Sequence, residues 1–263
     1  MSGCQTPGPV CVESPLNTGD PLFGAGALAG WAPWEPNPLA DGTGALLRTP
    51  KPGPSGVSAP SALAATLVLD DDHRALAAVA YGEGSTANVF EEMAAIANVL
   101  VRQQKARGYA TISAFIRADK TFAFAAHDGN ERHDKLMGAK ADAIAKDAGM
   151  TAAVRAAENA LSAKGQDYSN GAYFWDGADI KSNYDKHAKV RGGIHITDPK
   201  HNIYGIADKN VPDEVWWLDA HGKKTKLRGK WDYKYESTAG LGGTIFWKYN
   251  ADFLKASGNK EYN

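Results

Sequence analysis

This 263-residue sequence has little cysteine, no long apolar run and almost no excess of one charge. Its two cysteines, Cys4 and Cys11, lie near the N-terminus. This excludes a disulfide framework for the main body and favours two free thiols over a local bridge. No apolar run approaches the roughly 18 residues of a membrane-spanning helix, so none is predicted. The 29 basic and 30 acidic residues give a net charge of −1, which argues against a nucleic-acid partner.

Proline is scarce after residue 60. Eleven of the 13 prolines lie in residues 1–60, together with ten glycines and only six charged residues. Proline removes backbone donors and glycine adds backbone freedom, so regular helices are not expected there. We predict a Pro/Gly-rich extended arm over residues 1–60, with a partly disordered linker as the alternative. A single domain is predicted over residues 61–263.

Alanine-rich helical patterns follow the arm. Val89, Met93, Ile96 and Leu100 recur at helical spacing, between a possible cap at Asn88 and a terminating glycine at Gly108. Other helices are predicted at about 72–82, at about 138–148 with Gly149 as its end, and from a Thr151 cap to about Lys164.

Short aromatic and β-branched runs appear after Gly165 and predict strands or ordered loops. They lie at 172–175, 194–196, 203–206, 215–218 and 244–249. The predicted fold class is therefore α+β and mainly helical, with a small β and loop region in the C-terminal third.

Glu83 is the first candidate for chemistry, in the segment Tyr81-Gly-Glu-Gly-Ser85. Glycines on both sides allow a sharp turn and leave the carboxyl group little shielded. Apolar helical patterns precede and follow it, so the group can be partly desolvated. Desolvation raises the pKa of a carboxyl group and suits it to act as a general acid.

Two segments together resemble a family of cell-wall hydrolases that includes the spore-cortex-lytic enzymes. The first is Ala77-Ala-Val-Ala-Tyr-Gly-Glu-Gly-Ser85 with the helix Glu92-Met-Ala-Ala-Ile-Ala-Asn-Val-Leu-Val-Arg102. The second is Gly165-Gln-Asp-Tyr-Ser-Asn-Gly-Ala-Tyr-Phe-Trp175. Their order and separation match the family. The chain departs from the family pattern at Ser85 and at Val101, where the family has Arg and Asn.

The resemblance implies a lysozyme-like fold related to lytic transglycosylases and cleavage of peptidoglycan glycan strands, as a muramidase or a lytic transglycosylase. It implies that Glu83 is the catalytic acid. We further predict substrate contacts at Tyr81, Ser85, Tyr173 and Trp175, because sugar rings stack on aromatic planes. No cofactor and no metal site are predicted, since no zinc, complete calcium-loop or nucleotide motif is present.

Glycoside hydrolysis usually needs a second carboxylate. The sequence offers several carboxylates and leaves the choice open, although in the resembled family a single Glu can suffice. Glu92 and Asp176 are our possible second carboxylates, and the other candidates are Glu91, Asp128 and Asp179.

Peptidoglycan lies outside the cytoplasm, yet the N-terminus lacks the basic and apolar parts of a secretory signal. We therefore expect synthesis in the cytoplasm and export by a non-classical route to the periplasm or cell wall. One such case is an antibacterial effector of type VI secretion. Residues 1–60 would then contact the secretion apparatus, and a periplasmic immunity protein would be a partner of the chain. The alternative is a non-catalytic module that binds cell wall or a partner protein.

Overall fold

The computed structural model describes residues 69–263. The predicted arm, with Cys4 and Cys11, lies outside this part of the chain, and so does the predicted boundary near residue 61. Among residues 69–263, no helix combines the length and the apolar character needed to cross a membrane.

Helix α1 (Asp71–Glu83) is the centre of the helical part. The Asp70 carboxylate caps it by accepting a 2.8 Å hydrogen bond from the His73 amide. Every residue from Ala75 to Tyr81 is buried, because other helices surround α1. These neighbours are α2 (Phe90–Ala106), α3 (Ile112–Ala118), α4 (Glu131–Gly138) and α6 (Ala148–Leu161), and a short α5 (Ala141–Lys146) lies between α4 and α6.

Three predicted helix boundaries are wrong. Asp147 caps α6 through the Met150 amide, so Thr151 is not the cap and Gly149 lies inside the helix. A Cβ on Gly149 would lie 2.6 Å from the Asn88 Oδ1, so this glycine permits a close approach and does not end a helix. Asn88 itself does not cap α2, which begins after Val89.

A four-stranded sheet packs on the helices and consists of β1 (Phe174–Asp176), β2 (Ile194–His195), β5 (Tyr235–Leu241) and β6 (Thr244–Tyr249). The strand order is β1-β6-β5-β2, and only the β2–β5 pair is parallel. Phe246 and Ala239 join the core shared with the helices, whereas Ile245 and Trp247 join a second apolar cluster. The second cluster also includes residues of α7 (Asp179–Ser182) and α8 (Ala188–Gly192).

A separate hairpin consists of β3 (Asp213–Leu218) and β4 (Lys224–Trp231). It packs on the C-terminal helix α9 (Ala251–Ser257) through a small cluster of Trp231, Phe253 and Ala256. The predicted mixture of helices and a small β region is confirmed. The run 203–206 contains no strand and forms a turn and loop, which is the second of the two predicted alternatives.

Candidate active site

Glu83 is the last residue of α1, and the two glycines beside it have a packing role that the sequence did not reveal. A Cβ on Gly82 would lie 2.9 Å from the Ala125 Cβ, and one on Gly84 would lie 3.1 Å from the Met93 Cγ. The first distance is shorter than real Cβ contacts, and the second would require Met93 to move by a few tenths of an ångström. The glycines therefore allow the segment 124–132 and helix α2 to approach the end of α1 from two sides.

The segment 124–132 holds the main chain around Glu83. The Asn130 side-chain amide donates to the Gly82 carbonyl at 3.2 Å, and the Arg132 guanidinium donates to the Gly84 carbonyl at 2.8 Å. Both contacts satisfy carbonyls at the helix end, which have no partner within the helix. The backbone on either side of Glu83 is fixed as a result.

The same segment contacts the carboxyl group itself. The Ala125 amide donates a 2.8 Å hydrogen bond to the Glu83 Oε1. Ala125 lies in a short 3₁₀ turn, Phe124–Ala126, and is buried. One oxygen of the acid is therefore oriented by a rigid backbone donor.

Burial raises the pKa of Glu83 to about 7. The Ala125 amide and the Trp175 side chain hydrogen-bond to the carboxylate and lower the pKa, while the negative charge of Asp128 raises it. The desolvation effect is the largest of these. A substantial fraction of Glu83 is consequently protonated at neutral pH, as a general acid requires.

Of the predicted contact residues, Trp175 lies beside the Glu83 carboxyl group. Trp175 is on β1, and its half-buried side chain interacts with the Glu83 carboxyl group. The Ser85 hydroxyl instead donates a 2.5 Å hydrogen bond to the Glu92 Oε2. This hydrogen bond holds the buried Glu92 side chain.

Tyr81 and Tyr173 are not brought to Glu83. The Tyr81 ring is 6% exposed and lies under the Arg132 guanidinium, 4.1 Å from the ring centroid. The Tyr173 hydroxyl donates to the Glu261 Oε2 at 2.9 Å, and its ring lies near Arg102 on α2. The Tyr81 ring packs among the helices, and the Tyr173 side chain contacts the C-terminal tail.

The two named second carboxylates are both engaged elsewhere. Glu92 is fully buried, and its Oε1 accepts from the Gly243 amide at 2.9 Å and the Thr244 hydroxyl at 2.8 Å. It therefore fastens α2 to the turn between β5 and β6. The Asp176 Oδ1 accepts from the Lys189 Nζ at 2.9 Å.

Asp176 also belongs to a charged cluster on the far side of β1. The His187 Nε2 lies 3.4 Å from both Asp176 and Asp179. Burial lowers the pKa of His187, but the two carboxylates outweigh it and raise the pKa to about 9. His187 is therefore a cation at neutral pH and neutralises part of the charge of these two residues.

Asp128 is the carboxylate whose charge acts on Glu83. It is exposed, and its Oδ1 accepts a 3.0 Å hydrogen bond from the Asn130 amide in the turn before α4. Gly129, between them, has a φ of +77°, which favours glycine. The turn places the Asp128 carboxylate close enough for its charge to act on the Glu83 carboxyl group.

Two depressions of about 290 and 360 Å³ lie along β5, lined by residues other than Glu83. They share Asn170 and His201. Among residues 69–263, no group of three or more His, Cys, Asp and Glu side chains is placed to hold a metal ion. The groups of the site that can take part in chemistry are the Glu83 carboxyl group, the Ala125 amide and the Asp128 carboxylate.

Comparisons with known protein families, curated proteins and solved structures find no match for this chain.

The two segments that carry the family resemblance contact each other directly. The Arg102 guanidinium on α2 lies 2.5 Å from the Asp167 carboxylate and donates to the Ala172 carbonyl at 2.5 Å. One turn earlier, the Asn98 Oδ1 accepts from the Tyr168 amide at 3.0 Å. These contacts fix the loop that leads into β1 and so help to set the position of Trp175.

Within the segment 124–132 the sequence indicated Asp128 as a candidate carboxylate, but not that Ala125, Asn130 and Arg132 hold Glu83 and its neighbours. Asn130 accepts hydrogen bonds from the Arg132 and His133 amides and caps α4. An Asn directly before a helical segment is a recognisable signal for a cap. That signal predicts where α4 begins, but it does not predict that the turn before α4 packs on Glu83.

Proposed function

We propose that this chain cleaves the glycan strands of peptidoglycan, with Glu83 as the general acid. The observation that carries the proposal is the partly buried Glu83 carboxyl group at the end of α1, which accepts a hydrogen bond from the Ala125 amide. Its pKa of about 7 lies close to a neutral working pH, where an acid can both hold and release its proton. The resemblance of the surrounding segments to cell-wall hydrolases supplies the substrate class and the lysozyme-like fold.

In the proposed reaction, Glu83 gives its proton to the departing glycosidic oxygen as the bond from that oxygen to the anomeric carbon breaks. The electron pair of the bond stays with the oxygen, and positive charge develops on the sugar ring. Trp175 lies beside the acid and offers an aromatic surface for a sugar ring. The Ala125 amide keeps the carboxyl group oriented throughout.

Asp128 is the candidate for the second carboxylate, because its charge reaches Glu83 while Glu92 and Asp176 are held by other partners. An ionised Asp128 would stabilise positive charge on the sugar and could accept a proton from an attacking water. Attack by a hydroxyl of the substrate would instead form an anhydro end. The fragments therefore report which nucleophile is used.

The test is digestion of purified peptidoglycan, with mass analysis of the fragments, by the wild type and by Glu83→Gln. The Gln side chain keeps the shape and removes the proton, so the rate should fall by about 10²–10⁴-fold. Glu158→Gln is the matched control, since Glu158 is exposed on α6. A folded Glu83→Gln variant that cuts at the wild-type rate would refute the proposal.

A wild-type chain that binds the wall and releases no fragments would support the alternative of a non-catalytic binding module. Reducing muramic ends, reducing glucosamine ends and anhydro ends would each name a different cleavage. Because the proposed substrate lies outside the cytoplasm, the proposal also requires export of the chain. The immunity protein and the secretion contact of residues 1–60 belong to this part of the proposal.

A further inference from the structure

Among residues 69–263, the most exposed large apolar side chain is that of Phe124, which is 59% exposed. It belongs to none of the apolar clusters in this part of the chain. Phe122, two residues earlier, instead packs on the rings of Phe115, Phe174 and Trp175. A single exposed apolar residue needs no explanation by itself. The position of Phe124 in the fold therefore decides whether its exposure has a role.

The contact with the acid fixes where Phe124 lies. The amide that donates the 2.8 Å hydrogen bond to the Glu83 Oε1 belongs to the peptide bond between Phe124 and Ala125. The Phe124 Cα is two covalent bonds, or about 2.4 Å, from that nitrogen. It therefore lies within about 5 Å of the Glu83 Oε1, and the centre of its ring lies within about 9 Å.

The backbone that carries this ring is held firmly. The Phe124 carbonyl accepts hydrogen bonds from the amides of His127, at 2.8 Å, and Asp128, at 3.2 Å. Ala125, the next residue in the turn, is buried. Because the backbone is already fixed, little of its freedom is lost when a ligand packs against the ring.

The other aromatic side chain beside the acid contacts the same segment. The Trp175 ring lies 6.0 Å from the Phe122 ring, centroid to centroid, in an edge-on arrangement. Phe122 helps to hold Trp175 in its half-buried position, whereas Phe124 stays exposed. The segment 122–128 therefore contacts both Glu83 and Trp175, and it carries one exposed ring close to them.

We infer that Phe124 binds a sugar ring next to the bond that is cleaved, by stacking on its apolar face; the inference rests on the proposed function. A glycan whose glycosidic oxygen contacts Glu83 continues on both sides of that oxygen, so its adjacent sugars can reach the Phe124 ring. Phenylalanine has no polar side-chain atom, so its contribution comes from the apolar face of the sugar. Phe124 takes the place of Tyr81 and Tyr173, which were predicted as contacts and pack elsewhere.

The experiment compares the cleavage of short soluble glycan fragments by the full-length wild type and by Phe124→Ala. The variant loses binding that is equal in the ground state and the transition state. KM should therefore rise about fivefold, while kcat stays within about twofold of the wild type. Phe124→Tyr keeps the aromatic plane and should restore KM, whereas Phe124→Leu keeps only apolar bulk and should restore little.

The matched control is Trp217→Ala, which removes a ring that is 40% exposed on the β3–β4 hairpin. It should leave both kinetic constants unchanged, and melting curves confirm that each variant is folded. An equal rise in KM for the control would overturn the inference, and so would full restoration by Phe124→Leu. A lower melting temperature of Phe124→Ala with an unchanged KM would make Phe124 a packing residue.

Binding without cleavage separates this inference from the proposed function. In a Glu83→Gln background, calorimetry with the same fragments should show that Phe124→Ala weakens binding about fivefold. If the parent binds the fragments and the wild type does not cut them, the proposed function fails, and the calorimetric comparison alone decides the role of Phe124. If the wild type cuts them and Phe124→Ala changes neither KM nor binding, the inference fails while the proposed function stands. Fragments that neither bind nor are cut would overturn both.

Discussion

The protonation state of Glu83 depends on two side chains that act in opposite directions. Asp128 raises the pKa of Glu83 because a second negative charge disfavours ionisation. Trp175 lowers the pKa because its side chain hydrogen-bonds to the ionised form. Burial sets the overall level of the pKa at about 7, and these two neighbours adjust it.

Single substitutions should therefore move the pH dependence of cleavage both ways. The acid must be protonated, so kcat/KM on soluble glycan should fall as pH rises through about 7. Asp128→Asn should move this descending limb to lower pH, and Trp175→Phe should move it to higher pH. Asp142→Asn, at an exposed position of α5, should leave it unchanged. A shift of both variants in the same direction would contradict the assignment.

The raised pKa of Glu83 also predicts a pH-dependent stability. Below about pH 4.5 the group is protonated in the folded and unfolded chains, so its ionisation has no effect on the free energy of unfolding. As pH rises towards 7, only the unfolded chain ionises, and the folded chain loses stability relative to it. Above pH 7 the loss is complete.

Glu83→Gln should remove this loss. At pH 8 the variant should be more stable than the wild type by up to about 3 kcal/mol, and the advantage should shrink as the pH is lowered to 4.5. Urea unfolding at several pH values measures the difference. A variant that is equally stabilised at pH 4 and at pH 8 would mean that packing, and not ionisation, is responsible.

At the scale of elements, the link between α2 and the loop before β1 determines where Trp175 lies. Arg102 contacts Asp167, Ser169 and Ala172 with one guanidinium group. Removing that group takes the Arg102 donor from the Ser169 hydroxyl and the Ala172 carbonyl and leaves Asp167 without its ion-pair partner, which is costly. The effect on the site is indirect, because it acts through the position of β1.

Arg102→Met should therefore lower the free energy of unfolding by about 2–3 kcal/mol. It should also reduce cleavage more than the stability loss explains, because the loop and Trp175 are less well fixed. Lys105→Met, at an exposed position on the same helix, is the control and should have little effect. The measurements are thermal unfolding and glycan cleavage well below the melting temperature. Wild-type stability would contradict the role given to Arg102.

The helices around Glu83 could be predicted because their signals are local. Met93, Ile96 and Leu100 lie at helical spacing, and all three are buried on α2. The end of α1 at Glu83 was also expected, since glycines flank it. The predicted helix end at Gly149 was wrong, because this glycine lies inside α6 and allows residues that are distant in sequence to pack closely against the helix.

Strands β4 and β5 could not be predicted from their residues. The sequence of β4 is Lys-Thr-Lys-Leu-Arg-Gly-Lys-Trp, which is polar apart from Leu227 and Trp231 because most of the strand faces solvent. In β5, a Cβ on Gly240 would lie 2.5 Å from the His201 carbonyl oxygen. Glycine is therefore needed there, although it is not typical of a strand. Long-range pairing decides both strands, and single-sequence patterns do not contain it.

At the scale of the whole molecule, the candidate site exists only where the helical layer meets the sheet. Glu83 comes from α1, Ala125 and Asp128 from the segment before α4, and Trp175 from β1. Glu92 fastens α2 to the turn between β5 and β6 close by. The acid therefore depends on long-range packing within residues 69–263, and these residues hold every group assigned to the chemistry.

The last prediction follows from that arrangement. A chain that begins at Ser61 should fold and cut purified peptidoglycan at the full-length rate, since the core residues Leu76, Phe115 and Phe246 are buried by described neighbours. Near-ultraviolet circular dichroism, the melting temperature and fragment analysis compare the two chains. If the shorter chain is unfolded or insoluble, residues 1–60 stabilise the domain and the predicted boundary is wrong. If it is folded but inactive on purified wall, those residues supply part of the active site, and Glu83 is not the centre of a self-contained unit.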